Sequence, residues 1–360
     1  MSTSFQSFTT RKALTHTNTS VTYLHIFCSK FDGNNWGIFV TQSDPNQAGN
    51  IEIQDASASY NSFTGTFVRS RGVSLSLENV AAVENDFIEK RRGGIYIISE
   101  GGDVHIDRAH VRENGEQGLI LWGTEGASFT VNNTNSTDNG SIGIHLYNNE
   151  GDAKFDVDLT DSVNNTSSSG ITINCNNCST SLKDVEVTDN KDGMFVYLRR
   201  EDHAVDLSLD GEIVANNNTR GGIIVAGRSA EERIPSADIY INGHVTTNSN
   251  LEVGFQVKNN TEANLFLSSG ASFMACNNPI DIDIEKLGSG KFLAESYPFP
   301  SLTCDVCPLE PTVGITEKTV KMDDEESNDF QKDLELEMES GTVRGKSRGG
   351  STTTPPGLFN

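Results

Sequence analysis

A glycine followed by an apolar, a variable and a second apolar residue returns along most of this chain. Nine copies stand at Gly37-Ile38-Phe39-Val40, Gly65-Thr66-Phe67-Val68, Gly94-Ile95-Tyr96-Ile97, Gly118-Leu119-Ile120-Leu121, Gly143-Ile144-His145-Leu146, Gly170-Ile171-Thr172-Ile173, Gly193-Met194-Phe195-Val196, Gly222-Ile223-Ile224-Val225 and Gly254-Phe255-Gln256-Val257. Pro279-Ile280-Asp281-Ile282 is a degenerate tenth. Successive copies lie 23 to 32 residues apart, a loose period that belongs to a solenoid rather than to separate domains. A helical unit would show apolar residues at i, i+3 and i+4; these segments alternate, and so predict strands. Most are followed by a second alternating run, such as Val73-Ser74-Leu75-Ser76-Leu77, Phe155-Asp156-Val157-Asp158-Leu159 or Val205-Asp206-Leu207-Ser208-Leu209. Such short strands are unstable singly. Stacked in register about 4.8 Å apart, they pair coil to coil and bury the alternate Ile, Val, Leu and Phe in one core. The expected fold class is therefore all-β, a parallel β-helix solenoid of about ten coils.

Between the second strand and the next glycine lies a polar corner that usually holds asparagine: Asn85, Asn114, Asn139, Asn164, Asn190, Asn217, Asn248 and Asn277. Asparagine tolerates left-handed backbone and bonds its own turn. Stacked corners predict an asparagine ladder. The glycine before each strand permits either close approach or positive φ. On these coils, which read as Asn, a few residues, Gly, Ile, variable, Ile or Val, the chain resembles the right-handed parallel β-helix (pectin-lyase-like) superfamily over residues 30–295. The resemblance implies a right-handed solenoid. It does not select an activity, because that superfamily holds polysaccharide lyases, hydrolases and epimerases as well as adhesins.

The rest of the chain divides around this repeat. Residues 1–30 are expected to form an N-terminal cap with a strand at 21–27, residues 31–295 the β-helix, residues 296–310 a proline-marked C-terminal cap, and residues 311–360 a disordered acidic tail. Net charge is −23 over 360 residues, which argues against nucleic acid, since no basic face would neutralise phosphates. No apolar run is long enough to span a membrane, and no signal peptide is visible. Nine Asn-x-Ser/Thr triplets, beginning at Asn18, Asn132, Asn135, Asn139, Asn164, Asn165, Asn177, Asn217 and Asn259, fit an extracellular or cell-surface glycoprotein. The six cysteines are Cys28, Cys175, Cys178, Cys276, Cys304 and Cys307. Two Cys-x-x-Cys pairs allow local disulfides, unpaired thiols or, if brought together, a four-thiolate zinc site.

Function must reside in the outward positions. In the Gly-apolar strands these are Phe39, Phe67, Tyr96, Ile120 with Trp122, His145 with Tyr147, Thr172, Phe195 with Tyr197, Ile224 and Gln256. A solvent-facing strand does not need so many aromatics. Phe39, Phe67, Tyr96, Trp122, His145, Tyr147, Phe195 and Tyr197 are therefore the candidate carbohydrate-binding residues, stacking on sugar rings. The same stripe suits a cell-surface protein partner, or burial beneath corner loops as a satellite core. On the following strand, aligning apolar residues between coils places Glu78 beside Asp107 and His105 beside Ser76. Two carboxylates about 5 Å apart are able to share a proton, hold calcium or serve sugar hydrolysis, with His105 as general base. Solvated strand faces are ordinarily charged, and no complete catalytic signature of the superfamily is present. The leading expectation is a module that binds polysaccharide through the aromatic stripe, with calcium the one cofactor considered. The alternatives are a divergent polysaccharide lyase or glycoside hydrolase using Glu78, His105 and Asp107, and an adhesin-like protein-interaction scaffold.

Overall fold

Strands that alternate between one apolar and one polar side satisfy their backbone only by pairing with a neighbour, and here the neighbour is the next coil. The computed structural model describes residues 2–6, 14–18, 23–42, 49–85, 93–148, 150–165, 167–198, 204–227, 236–258, 262–268, 270–284 and 313–314. The chain is an all-β parallel β-solenoid of about eight turns, without helix among the described residues. The count is about eight where about ten coils were expected. The 15 strands of the first sheet and the 12 of the second lie across the rod and stack along it. All ten Gly-apolar copies, the degenerate one included, supply strands of the second sheet, from Ile38–Gln42 to Ile280–Ile284.

The first sheet turns a corner. In some coils one long strand runs through the bend, as in Ser74–Val83, Ala153–Val163, Asn177–Glu186 and Ala204–Val214. In others the same path is split, as in Asp103–Asp107 with His110–Arg112 and Ala127–Asn132 with Asn135–Thr137. At the bend the residues Cys28, Asp55, Asn79, Arg108, Asn133, Leu159 and Asp184 all have left-handed backbone, with φ between 46° and 55°. Strand Tyr23–Phe27, expected as a cap, pairs on both sides, with Ser2–Gln6 and Ile51-containing Asn50–Ser57. The expected C-terminal cap at 296–310 and the acidic tail lie outside the described residues, apart from Val313–Gly314, which pairs with Ile280–Ile284.

Inside, rows of like side chains stack along the rod. One row reads Ile26, Ile53, Leu77, Ile106, Val131, Val157, Leu182, Leu209 and Ile241, all at most 2 % exposed. Phe129 and Phe155 stack in an adjacent row with ring centroids 5.1 Å apart. Full burial of each such side chain is worth about 1.5–3 kcal/mol.

The asparagine ladder is present and closer-knit than the corner reading anticipated. Its members are Asn61, Asn85, Asn114, Asn139, Asn165, Asn190, Asn218, Asn250 and Asn278. Each of the first eight donates its backbone N–H to the next member's Oδ1 at 2.8–3.2 Å. At seven of these eight steps Nδ2 donates to the same oxygen at 2.9–3.1 Å. Asn190 instead gives its amide hydrogens to the carbonyls of Ser162 and Thr188. Asn164, Asn217 and Asn277, expected in the ladder, each sit one residue before it. There they carry the left-handed turn, as do Tyr60, Glu84, Glu113, Asp138, Asp189 and Ser249 in the other coils, with φ between 53° and 60°. Asn248 lies two residues before its ladder member, its N–H bonded to Asn216 Oδ1 at 2.6 Å. The left-handed residue and the ladder residue are thus two positions with separate requirements.

The ladder also explains the glycines. A Cβ on Gly37, Gly65, Gly94, Gly118, Gly143, Gly170, Gly193, Gly222 or Gly254 would lie 2.7–2.9 Å from Nδ2 of a ladder asparagine. Close approach, not positive φ, is the constraint. The tenth copy was expected with Pro279 in the glycine's place; the register instead sets Asp281, two residues later, opposite Gly254, because Val253 pairs with Ile280 and Phe255 with Ile282. Asp281 Oδ1 accepts from the N–H and Nδ2 of Asn278, at 3.2 and 3.1 Å, and so ends the ladder.

Asn139→Ala removes the acceptor of Asn114 N–H and Nδ2 and strands buried groups that each cost about 1–3 kcal/mol. Urea unfolding should show a loss of about 3 kcal/mol or more; a loss below about 1 kcal/mol would contradict this account of the ladder. Leu159 is the reverse case, a 55 % exposed branched residue at φ 47°. Leu159→Asn should raise stability by about 0.5–1 kcal/mol in the same measurement, because asparagine occupies left-handed backbone at lower cost.

Candidate functional site

The register of the second sheet places the stripe residues in two columns. One column is Phe39, Phe67, Tyr96, Ile120, His145, Thr172, Phe195, Ile224 and Gln256. The other contains Ile98, Trp122, Tyr147, Asn174 and Tyr197. The alignment is as expected; the exposure is not. Phe67, Tyr96 and Ile120 are 7–9 % exposed, and His145 and Tyr147 are 1 % exposed. Trp36 and Phe39, with Ile98 and Trp122, pack against the first three as a second apolar cluster outside the main core. Trp36 lies against Phe39, Phe63 and Phe67 at 5.1–5.8 Å, while Phe39 stacks on Phe67 at 5.0 Å and Phe67 meets Tyr96 edge-on at 5.4 Å. Aromatic rings one strand spacing apart cover each other, and Trp36 and Phe63 extend the cover. The N-terminal half of the stripe is thus the satellite core weighed above. Trp36, directly before Gly37, was the sequence signal for it.

Midway along the rod the face changes character. Trp122 meets Tyr147 edge-on at 5.2 Å, and His145 packs on Tyr147 at 5.7 Å while its Nδ1 hydrogen-bonds Gln117 Oε1 at 3.0 Å. Phe195 and Tyr197 lie parallel at 6.0 Å and are half-buried, as is Trp122. Beside these rings Trp122 Nε1 and Asn174 Oδ1 are buried polar atoms without a hydrogen-bond partner. Asn174 stands between Tyr147 and Tyr197 in its column. Neither it nor the Asp192–Arg220 pair was legible as part of a site. That pair is a two-point contact between a nearly buried carboxylate and a partly exposed guanidinium. Buried polar groups are nearly always satisfied, so unpaired donors and acceptors beside half-exposed rings mark the stretch from Trp122 to Tyr197 as the candidate site.

The acidic candidates follow the expected register, Glu78 opposite Asp107 and Ser76 opposite His105. Arg108, however, sits between the carboxylates. It pairs with Glu78 and, at 2.7 Å, with Asp107, which also accepts from Asn133 Nδ2 at 2.9 Å. A guanidinium there is paired with both acids, so neither carboxylate is free to act with the other. Arg108 occupies the left-handed bend and reaches Glu78 of the preceding coil. Among the described residues no group of three or more His, Cys, Asp or Glu side chains is arranged to hold a metal ion.

Cys175 and Cys178 form a disulfide, and Cys276 is disulfide-bonded. The four-thiolate zinc site therefore does not form, since two of its ligands are bonded to each other. Cys304 and Cys307 lie outside the described residues. No family model matches the chain, and no curated protein and no solved structure is significantly similar to it. Cys28 is an exposed free thiol. Alkylation of the native, unreduced protein followed by peptide mass mapping should label Cys28 and leave Cys175, Cys178 and Cys276 unlabelled. Labelling of Cys175 would contradict the disulfide.

Proposed function

We propose that this solenoid is a noncatalytic extracellular module that binds polysaccharide along the second sheet between Trp122 and Tyr197. The observation that carries this reading is the unpaired Asn174 Oδ1, buried between two tyrosines in a column that also holds Trp122 with its unpaired Nε1. Sugar rings present apolar faces that stack on aromatic side chains and hydroxyls that both donate and accept. Asn174 Oδ1 would accept from one hydroxyl and Trp122 Nε1 would donate to another, with Phe195 and Tyr197 as the platform. The buried His145 and Tyr147 form the floor rather than the contact surface. Phe39, Phe67 and Tyr96 have no part in this smaller site.

Membership of the right-handed pectin-lyase-like superfamily belongs to the same proposal, supported by coils that bend through three strand-forming stretches and by the glycine-asparagine corner. The extracellular assignment rests on the Cys175–Cys178 disulfide, which persists in oxidising compartments. Asn164, Asn177 and Asn217, each the first residue of a triplet, are exposed, whereas Asn139 and Asn165 are buried in the ladder. The absence of a free acid pair at Glu78 and Asp107 weighs against the lyase or hydrolase alternative.

Binding of the full chain to a glycan array of neutral and uronic sugars, with and without calcium, tests the reading. Selective retention is expected, weakened at least about fivefold by Asn174→Leu and by Trp122→Phe, each of which removes one hydrogen bond worth about 1 kcal/mol. Retention unaffected by both substitutions would remove this stretch from consideration, and a blank array would turn the search to a protein partner.

A further inference from the structure

A second aromatic surface lies on the other sheet, near the C-terminal end of the described rod. Tyr240 and Phe266 are ladder neighbours on the outward side of strands Ser236–Ile241 and Glu262–Leu267. Their rings stack 4.8 Å apart at 13°, and Tyr240 is 37 % exposed. Because strands stack along the rod, so do the rings, and the second face of Tyr240 is turned toward the preceding coil. There the same column holds Ser208 and, one coil earlier, Ser181. Two small residues leave that ring face without an aromatic neighbour, beside a slot roughly 5–10 Å wide, one to two strand spacings.

The donors around this slot are already engaged. Ser268 Oγ donates to Asn242 Oδ1 at 2.9 Å, Asn242 Nδ2 to Ser208 Oγ at 2.9 Å, and Ser208 Oγ to Asp210 Oδ2 at 2.8 Å. On the opposite side Asn264 Nδ2 donates to Asp238 Oδ1 at 2.7 Å. Lys183, which faces Asp210 across the ladder, is held by Asp158 at 3.1 Å. What remains is acceptors. Asp206, Asp238 and Asn264 form one row, and Asn264 Oδ1 is a buried atom with no partner. Partial burial raises the Tyr240 phenol above its usual pKa, and Asp238 and Asp206 raise it further, so both carboxylates act on this ring.

A surface rich in acceptors and negative charge, with one open aromatic face, calls for a ligand that brings only donors and positive charge. We infer that the slot beside Tyr240 binds a guanidinium or ammonium group presented by a basic peptide. The cation lies over the Tyr240 ring, and its N–H groups reach Asp206 and Asp238, the carboxylates of the two coils that border the slot. The protein's net charge of −23 draws such a peptide in, and the ring selects where it rests. This site is independent of the polysaccharide reading and lies on a different sheet.

The test is fluorescence anisotropy of a labelled hexa-arginine peptide with the full chain at physiological salt. Tyr240→Ala leaves the charge unchanged and should weaken binding at least about fivefold, whereas Tyr240→Phe keeps the ring face and should stay within about twofold. Asp206→Asn with Asp238→Asn should weaken it about tenfold or more. Asp103→Asn with Asp152→Asn, an equal loss of charge at exposed positions on other coils, should change it less than about twofold. If Tyr240→Ala binds as tightly as the wild type, or the control pair loses as much as Asp206 and Asp238, the attraction is bulk charge and the site falls. Displacement of the peptide by a neutral oligosaccharide would overturn it as well.

Discussion

The hydrogen bond that one ladder asparagine makes to the next is the interaction on which the coil geometry depends. Each Oδ1 receives the backbone N–H of the preceding member and, at most steps, its Nδ2. The remaining amide hydrogen reaches a carbonyl of the previous coil, as Asn114 Nδ2 does to Ala82 and Asn139 Nδ2 to Val111. A fully buried amide is thereby satisfied without water, the condition under which a polar core element stabilises rather than costs. The arrangement excludes any side chain where Gly118 meets Asn139 Nδ2 at 2.7 Å. It also fixes the residue before each asparagine in left-handed backbone, which aims the amide inward.

With the inner geometry fixed, variation falls on the outward columns. There the rod uses one position in different ways along its length. Near the N-terminus the column is filled by rings that bury one another; midway it holds His145, Thr172 and Phe195; toward the other end it ends in Gln256 bonded to Asp283 at 2.9 Å. A repeated scaffold with a graded surface places chemistry at any chosen coil without disturbing the core.

The fold was legible because alternation and spacing are properties of the backbone period, and every Gly-apolar copy became a strand. The ladder was half legible. At Asn85, Asn114, Asn139 and Asn190 no adjacent asparagine competes, whereas the Asn-Asn pairs at 164, 217 and 277 offer two side chains of identical composition. Only the turn decides which one points inward. The corner Asn248-Ser249-Asn250 likewise offers two asparagines, of which Asn248 was expected and Asn250 is the member, while Asn61, after Tyr60, stands alone in a corner that did not look like the others. Outward columns were predicted in register but not in exposure, since cover depends on residues outside the repeat unit, such as Trp36 and Phe63. Arg108 and Asn174 were invisible for a related reason: their roles arise from neighbours one coil away, about 25–30 positions distant in sequence.

The ladder has a direction. From Asn61 to Asn250 every backbone N–H of the ladder donates to the member in the following coil, and the series stops where Asp281, which has acceptors but no amide hydrogens, takes the glycine's place. A coil is therefore a complete unit of grammar: it accepts from the coil before, donates to the coil after, and brings its own glycine to make room. Removing or duplicating the span from one ladder asparagine to the next leaves both junctions chemically identical to those present now. Rod length is then a quantity that duplication and deletion of gene segments adjust in whole steps, with Asp281 as the punctuation that must remain last.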